Sequence, residues 1–214
     1  MKIGIKTYCY VPELEYFKDK VDYIEVMAIV GENYDRFVDF SMLITVHSQH
    51  RGFGVNNADR RKERFNLKSL NFARSLADLV NSDRIVVHPG ELKNKDCSRS
   101  NSVDLISGIN DSRIIIENMP NSLSLCSTPA DMDYYMQETG KSFCFDVNHA
   151  IHYAADFGIS YYKLMKDFLE LDPSYFHIGG HSIKSNRSHL SFAESELNLR
   201  KILSFYPANA SITL

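Results

Sequence analysis

Five short apolar runs in this 214-residue sequence each end in a residue type that binds divalent metal ions. LITV leads into His47, RIVV into His88, RIII into Glu117, SFCF into Asp146 and SYF into His177. Any one of them has an ordinary explanation. A lone histidine after a strand is usually a hydrogen-bonded loop residue, and a lone carboxylate there is usually a helix N-cap. Five in register are different, because crowding ionisable groups around one point costs free energy unless something neutralises them. A bound cation does so most simply. Imidazole with carboxylate and no thiolate suits zinc, manganese or iron better than magnesium or calcium. Glu117, central in strand order, is placed to bridge two ions, and paired ions are a recurring device of phosphodiester hydrolysis.

Other histidines extend the set. Asp146-Val-Asn-His149 puts an imidazole three residues beyond an expected ligand, and His189 lies in SNRSHLSFAESEL. His50 is near enough to His47 to line the same mouth. His152 and His181 are weaker candidates, and His152 is expected on a helix surface.

These residues can meet only if the chain places them at one end of a sheet. Strands are predicted at Lys2–Lys6, Tyr23–Met27, Leu43–Val46, Arg84–Val87, Arg113–Ile116, Ser142–Phe145, Ser174–Phe176 and Ala210–Leu214. Each is short and rich in strand formers. Helices are predicted at Pro12–Asp19, Asn33–Asp39, Arg61–Asn81, Thr128–Thr139, Tyr161–Leu171 and Ala193–Phe205; in the longest, Phe65, Phe72, Leu76 and Leu79 recur at helical spacing. Alternating strands and helices imply parallel pairing. The expected fold is α/β, a small (β/α)8 TIM barrel in one domain over residues 1–214, with the metal-type residues around its C-terminal mouth. Because the eighth strand reaches Leu214, the eighth helix is expected to be missing. An open doubly wound sheet is the competing parse, but no GxGxxG or P-loop follows the first strand.

Composition narrows the class further. The net charge of −3 does not advertise a dedicated nucleic-acid binder, and it does not exclude a DNA substrate. Basic residues cluster at Arg51, Arg60, Arg61, Lys62 and Arg64, and again at Lys93, Lys95 and Arg99; solvated faces are their ordinary reading. No apolar stretch is long enough for a membrane span, and the N-terminus turns polar too early for a secretory leader. Cys9, Cys97, Cys126 and Cys144 lack CxxC spacing, so neither a disulfide framework nor a cysteine zinc site is expected, and a cytoplasmic location is.

Taken in order, HPG (88–90), IIIEN (114–118), FDVNH (145–149), FHIGG (176–180) and SHLSFAES (188–195) resemble the xylose isomerase-like barrel superfamily, and within it the endonuclease IV-type AP endonucleases. The resemblance implies one zinc on His47, His88 and Glu117, and a second on Glu117, Asp146 and His177. It implies a third ion at His149 and His189, with Glu117, Asp146 and His149 as the catalytic residues. The implied reaction is hydrolysis of DNA on the 5′ side of an abasic site, with the lesion flipped out of the duplex. Three departures stand out. Arg187 replaces an aspartate of the third-metal group, Gly180 stands where the family tends to be acidic, and the last glutamate ligand, expected after the eighth strand, would lie beyond Leu214.

Two other functions compete. A sugar or sugar-phosphate isomerase or epimerase would use Glu117, Asp146 and His177 on one manganese-like ion, with carboxylates shuttling a proton. Arg187 would then contact substrate oxygens or phosphate; with His50 at the mouth, it is the expected substrate-binding residue. A catalytically inactive barrel would instead bind a ligand or partner protein, its uncovered apolar flank packing against a second copy as a homodimer.

Overall fold

Eight parallel strands close into a barrel, as the alternation of short apolar runs and helical segments predicts. The computed structural model describes residues 1–8 and 14–214. The strands are β1 (Lys2–Thr7), β2 (Tyr23–Ala28), β3 (Leu43–Ser48), β4 (Ile85–Val87), β5 (Ile114–Glu117), β6 (Ser142–Asp146), β7 (Tyr175–His177) and β10 (Ser211–Thr213). They pair in that order, and β10 closes on β1 with Ile3 opposite Ile212. A two-stranded hairpin, β8 (Gly180–Ser182) and β9 (Arg187–Leu190), lies between β7 and β10. The sequence does not announce it, because its residues are polar and carry little strand signal.

The alternation of side chains along each strand divides the interior in two. Residues such as Ile24, Val26, Ile44, Val46, Ile85, Val87, Ile114, Ile116, Phe143 and Phe145 join the main core, where the helices pack. Tyr23, Val86, Ile115, Cys144 and Tyr175 form a separate small cluster. The next positions along these strands on the same side are Glu25, His88, Glu117, Asp146 and His177. The inner cluster is therefore the floor beneath the candidate site. Gly4 fits that floor, since a β-carbon there would stand 2.2 Å from the Tyr23 ring.

Helices α1 (Leu14–Phe17), α2 (Glu63–Leu79), α3 (Arg99–Ser107), α4 (Pro129–Thr139), α5 (Val147–Asp156), α6 (Tyr161–Leu169) and α7 (Leu199–Leu203) complete the described chain. The helix predicted from Pro12 is described only from Leu14, and Cys9 lies outside the described residues. The face of α2 differs from the one read from spacing. Leu70, Ala73, Leu76 and Ala77 are its buried apolar residues, while Phe65 and Leu79 are exposed. Through this face the helix packs on β2 and β3. The helix predicted at Asn33–Asp39 is only a 3-10 turn at Asp35–Phe37, and that predicted at Ala193–Phe205 shortens to α7. One helix escaped the reading: α3 is polar and weakly amphipathic, starting at the Ser98 cap. α5, whose presence only the placing of His152 on a helix implied, starts at Asp146 itself. Among the described residues, no helix is long and apolar enough to cross a membrane.

Candidate metal centre

Glu117 stands at the middle of the mouth and is 2% exposed. Its two oxygens face different partners. Oε2 lies 3.0 Å from Nε2 of His47 and 2.8 Å from Nε2 of His88. Oε1 lies 3.2 Å from Nδ1 of His177 and 3.6 Å from Nδ1 of His149. Two groups of ligand atoms result, each within 4.8 Å: His47, His88 and Glu117, and then Glu117, Asp146 and His177. Adjacent ligands around one zinc-sized ion lie roughly 3–3.5 Å apart, given bonds of about 2 Å. The first group is already near that spacing.

Tautomers decide whether these atoms can accept a cation. Nδ1 of His47 is 2.7 Å from the Ser48 carbonyl, which can only accept, so Nδ1 carries the hydrogen. Nε2 then turns a lone pair towards Glu117 Oε2. Burial, with Lys6 nearby, pushes the His47 pKa down to about 4, so at neutral pH no proton occupies that gap. Two acceptors facing each other in a buried site fit a shared cation. His149 follows the same logic: Nδ1 donates to the Asn118 carbonyl at 2.6 Å, leaving Nε2 as the free lone pair, 3.9 Å from Asp146 Oδ2.

Asp146 is both a helix cap and a candidate ligand. Its Oδ1 accepts from the His149 backbone N–H at 3.0 Å, which starts α5 and leaves Oδ2 available. Asn118 fixes the Asp146 backbone that carries this carboxylate, donating from Nδ2 to the Asp146 carbonyl at 3.0 Å and accepting the Asp146 N–H at 2.6 Å. Asn57 likewise donates to the His88 carbonyl at 2.8 Å.

Sequence reasoning missed two charged residues beneath the mouth. Glu25, in the middle of β2, is fully buried; Oε2 is 2.7 Å from Nε2 of His177 and Oε1 is 3.3 Å from Nζ of Lys6. Burial opposes charge on Glu25, but His177 and Lys6 outweigh it and hold the carboxyl well below its usual range. Burial would also depress His177, yet Cys144, Glu25 and Glu117 together raise it well above the ordinary imidazole value. The available signals were a glutamate inside the otherwise apolar run YIEVM and a lysine closing KIGIK.

The remaining predicted residues fall less centrally. His50 stacks on His88 with ring centroids 5.1 Å apart, and its Nδ1 accepts the Gly52 N–H. Burial and the neighbouring His88 push its pKa down to about 3. His189 and Arg187 are exposed on β9, and among the described residues no group of three metal-type side chains includes His149 or His189. His152 is half-buried rather than free on a helix surface; it bonds Ser188 at 3.1 Å and packs edge-on against His181. In the basic clusters, Arg51 and Lys93 flank Glu91, Arg61 grips Asp59, and Arg99 pairs with Asp131.

No protein-family model matches the sequence, and no curated protein sequence does either. Solved structures do match over nearly the whole chain. A D-tagatose 3-epimerase-like protein is 19% identical, covering 100% of this chain and 90% of its own, with a TM-score of 0.74. Endonuclease IV from Thermus thermophilus is 14% identical over 100% of this chain and 91% of its own, with a TM-score of 0.68. The IOLI protein, solved with a zinc atom, is 12% identical over 100% and 88%, with a TM-score of 0.69. The chain therefore has a TIM-barrel fold, which it shares with proteins of several different activities.

Proposed function

We propose that this chain is a metal-dependent hydrolase of the endonuclease IV type, cleaving phosphodiester bonds at abasic sites in DNA. One observation carries the reading: Glu117 offers one oxygen to His47 and His88 and the other to the His177 side, so a single carboxylate serves two ligand groups. Zinc fits the mixed imidazole and carboxylate donors, and the IOLI protein of the same fold holds that metal. When bound, such ions supply Lewis-acid stabilisation of charge at phosphorus and on the leaving oxygen. The protein's own groups do the rest. Asn118 and Ser48 lock the imidazoles and Asp146 in one orientation. The free Nε2 of His149 is available to accept a proton or hold a further ion. Incubating the zinc-loaded protein with a duplex containing one abasic site should give strand scission that a chelator stops. Absence of nicking at any protein concentration overturns the reading.

A second reading is a sugar or sugar-phosphate isomerase or epimerase. Exposed Arg187 and His189 favour it, because among the described residues they leave a third ion without a full ligand set and offer a solvent-accessible guanidinium. Glu117, Asp146 and His177 would then hold one ion, with Arg187 available to a phosphate. One equivalent of bound metal, with conversion of a ketose phosphate and no nicking, would select it.

A further inference from the structure

Beneath the mouth, Lys6, Glu25 and His177 form a charged chain whose first two members have no part in the reading above. Glu25 is fully buried on β2, and its two oxygens are divided: Oε2 to His177 Nε2 at 2.7 Å, Oε1 to Lys6 Nζ at 3.3 Å. The Thr213 hydroxyl also approaches Oε2, at 3.4 Å. No hydrogen bond reaches Oε1, so Lys6 is its main compensation among the described residues. A carboxylate this deep is costly unless it is paired and hydrogen-bonded, and here Lys6 and His177 do both. What it touches is the ring whose other nitrogen faces Glu117.

We propose that Glu25 is a positioning residue for the metal centre and that Lys6 is its counter-ion. The proposal rests on the metal reading above and deepens it. An imidazole can offer Nδ1 to a cation only if its hydrogen is on Nε2, and Glu25 is placed to accept that hydrogen. It thereby fixes both tautomer and ring plane. Lys6 neutralises the other oxygen and keeps Glu25 in an outer, hydrogen-bonding role instead of competing with Glu117 for the ion. Orienting carboxylates of this kind change metal affinity by about 10–100-fold when removed.

The test compares zinc binding, by chelator competition, and the imidazole N–H proton spectrum of zinc-loaded wild type, Glu25→Gln and the double variant Lys6→Met/Glu25→Leu. The double variant removes both charges together, so the fold is expected to tolerate it. Glu25→Gln should keep the zinc stoichiometry, weaken affinity by about 10-fold and shift the His177 Nε2–H signal, since the amide oxygen still accepts. The double variant should lose that signal and about 100-fold in affinity. Unchanged affinity and signal in both variants overturn the proposal alone. Loss of a whole zinc equivalent in Glu25→Gln also overturns it, by making Glu25 a ligand. A wild-type protein that takes up no zinc overturns this inference and the metal reading together.

Discussion

Nε2 of His47 lies 3.0 Å from Oε2 of Glu117 with a lone pair on each side of the gap. Without a cation, that contact is repulsive in a buried site, so the metal-free protein keeps an electrostatic penalty that metal binding removes. Glu117→Gln reverses the relationship, because an amide N–H can donate to Nε2. The variant should fold at least as stably as metal-free wild type while losing zinc from both ligand groups. Thermal melts with and without zinc check this: wild type should gain stability on loading, and the variant should not.

His47 also separates the two functional readings. It belongs to the group containing His88 and has no part in the group of Glu117, Asp146 and His177. His47→Ala should therefore bring abasic-site nicking to background while leaving one bound ion. Were the protein an isomerase working on the second group, turnover of its sugar substrate would survive the same change. Nicking that persists in this variant would rule out the two-group scheme.

Proton release gives an independent measure of the site. His177 lies between Glu25 and Glu117, which hold its pKa well above the usual imidazole value despite burial. A raised value favours a proton on the ring of the metal-free protein, and zinc binding through Nδ1 must displace it. Affinity should fall as pH is lowered and rise as it is raised. Calorimetry in buffers of different ionisation enthalpy should find about one proton released per protein at pH 7.

Stability against acid has a different source, away from the mouth. Asp111 accepts from the Arg113 side chain at 2.9 and 2.7 Å and from Arg74 at 3.2 Å. The Arg113 contact, opposed by burial and helped by Arg74, holds its pKa well below the usual carboxylate range. The folded value lies below the unfolded one of about 3.9, so this stabilisation is present above that pH and is lost as pH falls further. Asp111→Asn should cost about 2 kcal/mol at neutral pH, and the cost should shrink steadily as the pH falls below about 4, where the unfolded chain takes up a proton that the folded carboxylate resists. Urea unfolding across that range measures the difference.

How much of this was legible follows from where the information sits. The barrel was readable because most of its strands, such as β2, β4, β5 and β7, are short runs buried on both faces and bounded by polar turns. The mouth residues were readable because each immediately follows such a run. Glu25 was not, because it sits mid-strand, where its inward direction depends on register against Lys6 and Thr45, which only the closed sheet fixes. Asn118 was visible within IIIEN, but its clamp on Asp146 needs β5 beside β6. His189 is exposed on a hairpin that no apolar run announces, and its backbone has a positive φ of 59°, uncommon for a residue other than glycine.

The same hairpin yields a prediction about the departure at Gly180. A side chain at this position has no room: a β-carbon would stand 2.3 Å from the Leu190 carbonyl oxygen and 2.5 Å from that of Ser191. Both obstacles are backbone, so a side chain must push β9 away from β8 rather than rotate aside. Restoring an acidic residue by Gly180→Asp should therefore not add a ligand. It should displace the hairpin, lower thermal stability by about 1–3 kcal/mol, and loosen the His152–Ser188 contact that ties β9 to α5. Zinc stoichiometry distinguishes the outcomes: an added ion would mean that the hairpin yields and that glycine alone had kept a ligand from the mouth. An unchanged stoichiometry with a lowered melting temperature is expected, because Gly180 pairs directly with Leu190 and the bond network around Ser195 and His181 holds that register.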